Sequence, residues 1–156
     1  ALSYAKDGGS ITILNPAPAQ PLGENILKLC DFVTPNEIEA EQITGIPVKS
    51  VSDAEVAADK LLEKGASAAV ITLGEQGALF KDSKQIIHQP SFQVGPIVET
   101  TGAGDAFNGG LAVALAEEMP IDKALRFACA TASISVTRPG TAPSMPDRNE
   151  INTLHT

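Results

Sequence analysis

The chain has 156 residues, of which 43% are hydrophobic, and this apolar content is enough for a domain with a substantial core. Its 19 acidic and 11 basic residues give a formal net charge of −8, which argues against nonspecific nucleic-acid binding because that function requires a basic face. An anionic nucleotide stays possible, since backbone N–H groups and metal ions can hold it. We see no membrane-spanning apolar run and no signal-peptide pattern, so we expect no membrane partner and a cytoplasmic location.

Hydrophobic patterning in the first half of the chain predicts short strands that alternate with helices. Proline ends the strands at Pro16 and Pro35, and Gly65 ends the last helix. The packing face of that helix is expected to hold Val56, Ala57, Leu61 and Leu62. In chain order the predicted elements are a strand over 11–14, a helix over 22–29, a strand over 32–33, a short helix between Asn36 and Gly45, and a helix over 53–64.

The second half begins with a continuous apolar strand over 68–73, as expected in a parallel sheet that is covered on both faces. A turn over 74–77 leads to a hairpin partner over 78–80, and another short strand follows over 86–88. The predicted helices are an amphipathic one after Gly104, with Phe107, Leu111, Ala114 and Leu115 on its stripe, a long one over 121–137 with Ala124, Leu125, Ala128, Ala132 and Val136 on its packing face, and a last one from about Asp147. This alternation predicts a single α/β domain over 1–156 with a mostly parallel sheet.

The two cysteines, Cys30 and Cys129, lie far apart and in no metal-ligand spacing. We interpret both as small buried thiols and not as a disulfide or as nucleophiles. His88 and His155 also lack metal-ligand spacing and a nearby acid, so we expect them at the surface or at a sheet edge. The chain starts at Ala1, without a methionine and within a helix-like pattern, which favours the interpretation that it is a fragment.

The stretch over 99–110 is the one that most strongly suggests chemistry. Gly102, Ala103 and Gly104 allow a tight turn, and the helix that follows offers first-turn N–H groups that have no partner within the helix. Such a helix start can bind an anion such as phosphate, and the Asp105 carboxylate could take a proton from an attacking hydroxyl there. An ordinary turn with an aspartate N-cap has the same local sequence, so the residues alone leave both interpretations open.

Three other segments each allow a structural and a functional interpretation. Asn36 and Glu39 lie three residues apart, hence on one helix face, and fit either a capped acidic first turn or a magnesium site. Thr-Leu-Gly-Glu-Gln-Gly over 72–77 is a hairpin turn or a nucleotide loop, and its spacing is not that of a Walker A motif. The stretch over 135–144 is a helix end with a proline-rich loop, or a set of carbonyl oxygens around a monovalent cation. Since ligands collect beyond the carboxyl ends of parallel strands, we expect the turns at Asn36, Gly74 and Gly102 to meet at one edge.

The string Thr-Gly-Ala-Gly-Asp-Ala-Phe-Asn-Gly-Gly over 101–110 resembles the second signature of the PfkB-type carbohydrate kinases, the ribokinase family. The resemblance covers nearly the whole chain, from Leu-Asn-Pro-Ala-Pro over 14–18 to Pro-Ser-Met-Pro over 143–146. It implies a ribokinase-like three-layer αβα sandwich with a mostly parallel sheet. It also implies that the start of the helix is the anion hole and that Asp105 is the catalytic base that meets the substrate.

The resemblance further implies an ATP-dependent sugar kinase, with the primary hydroxyl of ribose as the favoured acceptor and with ATP, Mg²⁺ and an activating K⁺ as cofactors. Glu99 stands where the family commonly has aspartate, which leaves the affinity and identity of the cation open. Cys129 is expected near the adenine, where a thiol would leave recognition to shape and backbone. The residues implied are Asn36, Thr72, Leu73, Gly74, Glu75, Gln76, Gly77, Gly102, Ala103, Gly104 and Cys129 for the nucleotide, Glu39 for magnesium, and Glu99, Thr101, Ser135, Arg138, Gly140 and Ser144 for the monovalent cation.

Members of this family are roughly twice as long, and their N-terminal half carries the glycine-rich sugar-binding motif and a small sheet that closes as a lid and dimerises. Neither feature is found in this sequence. We therefore expect the C-terminal, nucleotide-binding half of a kinase that is a homodimer at full length, and we expect the isolated chain to be inactive. The alternatives are a nucleotide-binding or interaction module without catalysis, and a related kinase with another sugar or a nucleoside as acceptor.

Overall fold

The structure, a computed structural model, describes residues 1–18, 20, 22–23 and 25–155, without the side chain of His155. The chain forms two compact units. The first consists of Ala1–Gly74 and Ala78–His88, and the second consists of Glu75–Gly77 and the chain from Gln89 onwards. The single domain expected over 1–156 stays a prediction.

The first unit is built on a mixed five-stranded sheet in which the strands lie in chain order. Its first three strands are parallel, with Ile13 opposite Phe32 and Phe32 opposite Ala68. The third and fourth strands form the predicted antiparallel hairpin, with Val70 opposite Phe80. The strands are β1 Ile13–Leu14, β2 Phe32–Val33, β3 Ala68–Thr72, β4 Ala78–Lys81 and β5 Ile86–Gln89.

Three α-helices belong to this unit: α1 Leu2–Asp7, α2 Glu37–Thr44 and α3 Val51–Glu63. Helix α3 packs on β3 and β4 through a face made mainly of alanine, with Ala54, Ala57, Ala58 and Leu61 buried. The prediction for Val56 was wrong, because its side chain is 53% exposed. Small side chains let a helix approach a sheet closely, and this contact turns the more hydrophobic valine away from the core.

The helix predicted over 22–29 is only a short 3₁₀ helix at Leu27–Leu29, while Glu24 lies outside the described residues. The chain must be extended by Cys30 in order to enter β2, and this leaves room for a single turn. The first strand is also shorter than predicted. Ile11 is 54% exposed, and pairing starts only where the Thr12 carbonyl accepts from the Phe32 N–H at 2.9 Å.

The second unit contains α4 Ala103–Ala116, α5 Ile121–Ser135 and α6 Arg148–His155. Helices α4 and α5 pack together, and Phe107, Leu111 and Ala114 are buried as predicted. Leu115, Ala132 and Val136 are only half-buried. Helix α5 ends two residues before the predicted end, and a short 3₁₀ turn at Ala142–Ser144 lies within the loop that leads to α6.

Both cysteines are free and buried, which confirms the interpretation of them as core thiols. His88 is exposed on β5, as expected, whereas the side chain of His155 lies outside what is described. Among the described residues, no helix combines the length and the apolar character needed to cross a bilayer.

Candidate active site

The start of α4 is a left-handed turn at Gly102, where φ is +83°. This turn uses one of the amides expected to bind an anion, because the Ala103 N–H donates to the Thr100 carbonyl at 3.1 Å. The Gly102 carbonyl accepts the first helical hydrogen bond, from Ala106 at 2.9 Å. Since the first turn of a helix has no internal acceptors for its N–H groups, Gly104 and Asp105 present theirs outward. The helix start therefore keeps two of the predicted donors for an anion.

The Asp105 carboxylate is exposed in the first turn of α4. It lines a cavity of about 310 Å³ whose other walls include Gly109, Val113, Phe127 and Ile151. Within the described chain, no hydrogen bond or ion pair engages this carboxylate, and Gly102, not Asp105, is the N-cap of the helix. The N-cap alternative is therefore wrong for Asp105, and its carboxylate is free to accept a proton.

The loop over 136–146 packs against this turn. The Glu99 carboxylate accepts from the Gly140 N–H at 2.8 Å, and the Val136 carbonyl accepts from the Val98 N–H at 2.8 Å. A Cβ atom built on Gly102 would lie 3.2 Å from Cγ2 of Thr141, so the turn and the loop are in close contact. The contact of Thr141 with this turn could not be predicted from the sequence, because contact across a loop leaves no periodic signal.

The residues predicted for a monovalent cation all lie in the second unit, over 99–101 and 135–144. They offer backbone carbonyls, the Glu99 carboxylate and the hydroxyl of Ser144, which is buried and donates to the Thr141 carbonyl at 2.6 Å. Oxygen donors of this kind suit hard cations, and carbonyl oxygens can replace the hydration shell of K⁺. No cluster of three His, Cys, Asp or Glu side chains able to hold a metal occurs among the residues described. The oxygen donors of these segments are compatible with a carbonyl-rich site for a monovalent cation, which stays a prediction.

The side chain of Arg138 forms a two-pronged ion pair with Glu150 on α6. The hydrogen bond from Arg138 lowers the pKa of the Glu150 carboxyl, and the same bond raises the pKa of Arg138. Glu150 also closes a capping box, because it accepts from the Asp147 N–H at 2.9 Å and donates its own N–H to the Asp147 carboxylate at 3.0 Å. Glu150 was not among the predicted site residues, although Asp-x-x-Glu after a proline is a signal for such a box.

Within the second unit, the loop over 75–77 is held by the segment over 89–91. At Gly77, φ is +91°, and a Cβ atom there would lie only 2.0 Å from the Gln89 carbonyl oxygen. Ser91 donates its hydroxyl to the Glu75 carbonyl at 2.6 Å. The same Gln89 carbonyl lies 3.9 Å from Sγ of Cys129, and burial raises the pKa of this thiol to about 12. No sequence pattern identified the 89–91 segment, because its contribution comes from main-chain atoms of Gln89 and from the single hydroxyl of Ser91.

In the first unit, Asn36 caps α2 through a complete capping box with Glu39. The Asn36 side chain accepts from the Glu39 N–H, and the Glu39 carboxylate accepts from the Asn36 N–H, both at 2.9 Å. The capped-helix interpretation is therefore confirmed. A carboxylate has two oxygens with about four lone-pair sites, so the cap is compatible with the predicted magnesium role of the buried Glu39, which stays a prediction.

The turns after Asn36 and Thr72 are neighbours in this unit, which supports that part of the predicted sheet edge. Asn36 forms a parallel bridge with Thr72, and the Thr72 N–H donates to the Pro35 carbonyl at 3.0 Å. Leu73 is buried, whereas Gly74 lies near the α2 start, since a Cβ there would be 3.8 Å from Oε1 of Glu37. The Gly102 turn belongs to the second unit, so its place at this edge stays a prediction.

The sequence pattern of the "pfkB family carbohydrate kinase" matches residues 1–148. The chain belongs to the pfkB family. It is 44% identical over 152 residues to the ribokinase of Haemophilus influenzae, and the match covers 96% of this chain and 49% of that protein. It is 39% identical to the deoxyribokinase of Salmonella typhi, over 97% of this chain and 50% of that enzyme.

The structure of this pfkB chain agrees with solved ribokinases. It superposes on the Arabidopsis thaliana ribokinase complexed with ribose and ATP with a TM-score of 0.94 and 32% identity, covering 99% of this chain and 50% of that one. The ribokinase-like α/β fold implied by the sequence is therefore confirmed. The pfkB chain spans about half the length of the curated relatives it matches.

Proposed function

We propose that this pfkB chain is the nucleotide-binding, catalytic half of an ATP-dependent ribokinase, which transfers a phosphoryl group to the primary hydroxyl of ribose. The observation that carries the proposal is the unpaired Asp105 carboxylate, which lines a cavity in the first turn of α4. The relatives named ribokinase and deoxyribokinase support a pentose as acceptor. A related kinase with another sugar or a nucleoside as acceptor is the alternative.

On this proposal, Asp105 accepts the proton of the sugar hydroxyl as that oxygen attacks the γ-phosphorus of ATP and the bond to the β,γ-bridging oxygen breaks. The Gly104 and Asp105 amides donate to the oxygens of the transferred group, aided by the positive end of the helix dipole. Positioning and charge stabilisation supply most of the rate enhancement in reactions of this type. Magnesium, when bound near Glu39, would neutralise charge on the phosphates, as metal ions do in phosphoryl transfer.

The other site residues are assigned to the nucleotide and to potassium on contacts that lie within one unit. Asn36 and the backbone of the loop over 72–77 would bind phosphate oxygens, with Gly77 held against the 89–91 segment. Cys129 would lie beside the adenine as an apolar wall, because its buried thiol stays protonated. Potassium, as an activating ion, would be held by Glu99, the Ser144 hydroxyl and backbone carbonyls of the segments over 99–101 and 135–144.

The decisive experiment is Asp105→Asn in the whole kinase, with ADP release measured on ribose and on 2-deoxyribose. We expect turnover to fall by a factor of roughly 10²–10⁴, because general base catalysis is lost. Nucleotide affinity by calorimetry should stay unchanged, since the backbone amides are retained. The matched control is Asp122→Asn, which changes an exposed acid in the first turn of α5 and should leave turnover intact. Retained turnover in Asp105→Asn would remove Asp105 from the role of base.

A nucleotide-binding module without catalysis is the second candidate, favoured by the half-length match to the relatives. It predicts that nucleotide binds and that no sugar promotes ADP release in the native protein, whatever its full length. Sugar-dependent turnover by the native protein would exclude this candidate.

A further inference from the structure

The loop over 136–146 links α5 to α6 and carries three of the proposed cation ligands, Arg138, Gly140 and Ser144. Most of its backbone bonds are local, such as the Arg138 N–H to the Ser135 carbonyl at 3.2 Å; at the start of the loop, the Val136 carbonyl also accepts from the Val98 and Glu99 N–H groups. Side chains hold it from two directions: Glu99 binds the Gly140 N–H, and Glu150 binds the Arg138 guanidinium. Beyond Val136, the position of the loop carbonyls therefore depends on these two carboxylates.

The Glu150 carboxylate is shared by donors from both sides of the loop. Oε2 accepts from the Asp147 N–H at 2.9 Å and from Nη1 of Arg138 at 3.3 Å, while Oε1 accepts from Nη2 of Arg138. The side chains of Arg138 and Glu150 are about one-third exposed, so screening limits the energy of the pair. A bidentate pair of arginine and carboxylate nevertheless fixes geometry, because both planar groups must align.

Helix α6 gives this carboxylate a fixed base. Ile151 is buried, and the Leu154 carbonyl accepts from the Arg126 guanidinium at 2.8 Å. Arg148 forms a second ion pair, with Glu117 just after α4. A carboxylate on an anchored helix can hold the guanidinium of a loop residue, and thereby its backbone, in one place.

We propose that Glu150 is a positioning residue for the cation site: through Arg138 it fixes the loop whose carbonyls bind the monovalent cation, and so it sets the affinity for K⁺. This inference rests on the cation site of the proposed function. Residues that orient metal ligands without touching the ion typically change affinity by about 10–100-fold when they are replaced. The Glu150 carboxylate acts in this way, because it contacts Arg138 and not the ion.

The experiment measures binding without catalysis, as the thermal stabilisation of the chain by KCl, with tetramethylammonium chloride holding the ionic strength constant. Glu150→Gln keeps the size of the side chain and an acceptor for the Asp147 N–H, but loses the charged, two-oxygen acceptor for Arg138. We expect its K⁺ midpoint to rise by about tenfold. The matched control, Glu117→Gln, removes the other Arg–Glu pair of α6, which has similar exposure, and should leave the K⁺ midpoint unchanged.

A second variant tests whether Glu150 acts through Arg138. Arg138→Gln retains the backbone carbonyl and should raise the K⁺ midpoint as Glu150→Gln does. The double variant should show no further increase, since both changes remove the same ion pair. Equal midpoints for Glu150→Gln and Glu117→Gln, or additive effects in the double variant, would overturn the role of Glu150. If the unchanged chain shows no stabilisation specific to K⁺, the proposed cation site fails, and the inference fails with it.

Discussion

At the scale of single residues, the site depends on backbone contacts that only glycine permits. Gly77 lies so close to the Gln89 carbonyl that any side chain would overlap it. Gly102 adopts a left-handed conformation and contacts Thr141. The sequence identified both glycines as turn formers, but it could not identify their partners, because those partners lie 12 and 39 residues further along the chain.

We expect Gly77→Ala to weaken nucleotide binding and to destabilise the fold by more than backbone strain alone explains. The left-handed conformation costs alanine about 1–2 kcal/mol, and displacement of the 89–91 segment should add about 1–3 kcal/mol. Gly45→Ala is the matched control, since φ is +77° there and nothing lies within 4 Å of the added carbon. Urea unfolding and ADP calorimetry measure the two effects. Equal losses of stability in both variants would contradict the close-approach argument.

At the scale of elements, the α4–α5 contact shows how small residues set the spacing of helices. A Cβ on Gly110 would lie 3.0 Å from Cα of Ala128 and 2.7 Å from Oγ1 of Thr131. The preceding residue, Gly109, is exposed, with open space around the same position. Two neighbouring glycines in one helix therefore have opposite roles in packing.

We expect Gly110→Ala and Gly109→Ala to change stability in opposite directions. Overpacking at Gly110 should cost about 1–3 kcal/mol, which exceeds the gain of about 1 kcal/mol in helix propensity. At Gly109 only the gain applies, about 0.5–1 kcal/mol. Urea unfolding, monitored by far-UV circular dichroism, measures the change in stability of both variants. Stabilisation by Gly110→Ala would show that α4 and α5 are less tightly packed than described.

Whether a segment forms a helix or a strand was largely predictable from hydrophobic periodicity. In α4, for example, Phe107 and Leu111 are buried, as the predicted amphipathic stripe requires. Orientation was harder to predict for α3. Alanine is compatible with both the core and the surface, so the hydrophobic pattern favoured Val56, whereas the fit of Ala54 and Ala58 against the sheet determines the face. The prediction of a helix over 22–29 was also wrong, since the hydrophobic pattern does not indicate that the backbone must already be extended at Cys30.

At the scale of the whole molecule, the motifs of the candidate site could be recognised in the sequence because each is local, whereas the pairing of Glu150 with Arg138 joins separate elements. The assignment of Asp105 as base stays a prediction; its freedom from other partners supports that prediction. The resemblance places the sugar-binding motif in the half of the relatives that this chain does not match.

For that reason, we expect the 156-residue chain to release no ADP in response to ribose, although it should bind ADP. We expect this chain neither to hold the acceptor nor to exclude water, so that the proposed base has no oriented hydroxyl to deprotonate. A coupled assay with ATP, Mg²⁺ and K⁺ measures turnover, and calorimetry measures binding. Robust ribose-dependent turnover by this chain would contradict the expectation.

The burial of both native thiols has a practical consequence. Cys30 is fully covered and Cys129 is 4% exposed, and burial raises the pKa of each. Because the thiolate is the form that reacts with maleimides, a cysteine introduced at an exposed position would be the preferred point of attachment in the folded chain. A fluorophore or spin label could thus be placed on the loop between α5 and α6 without replacing either natural cysteine, and distances could be followed during ligand titrations.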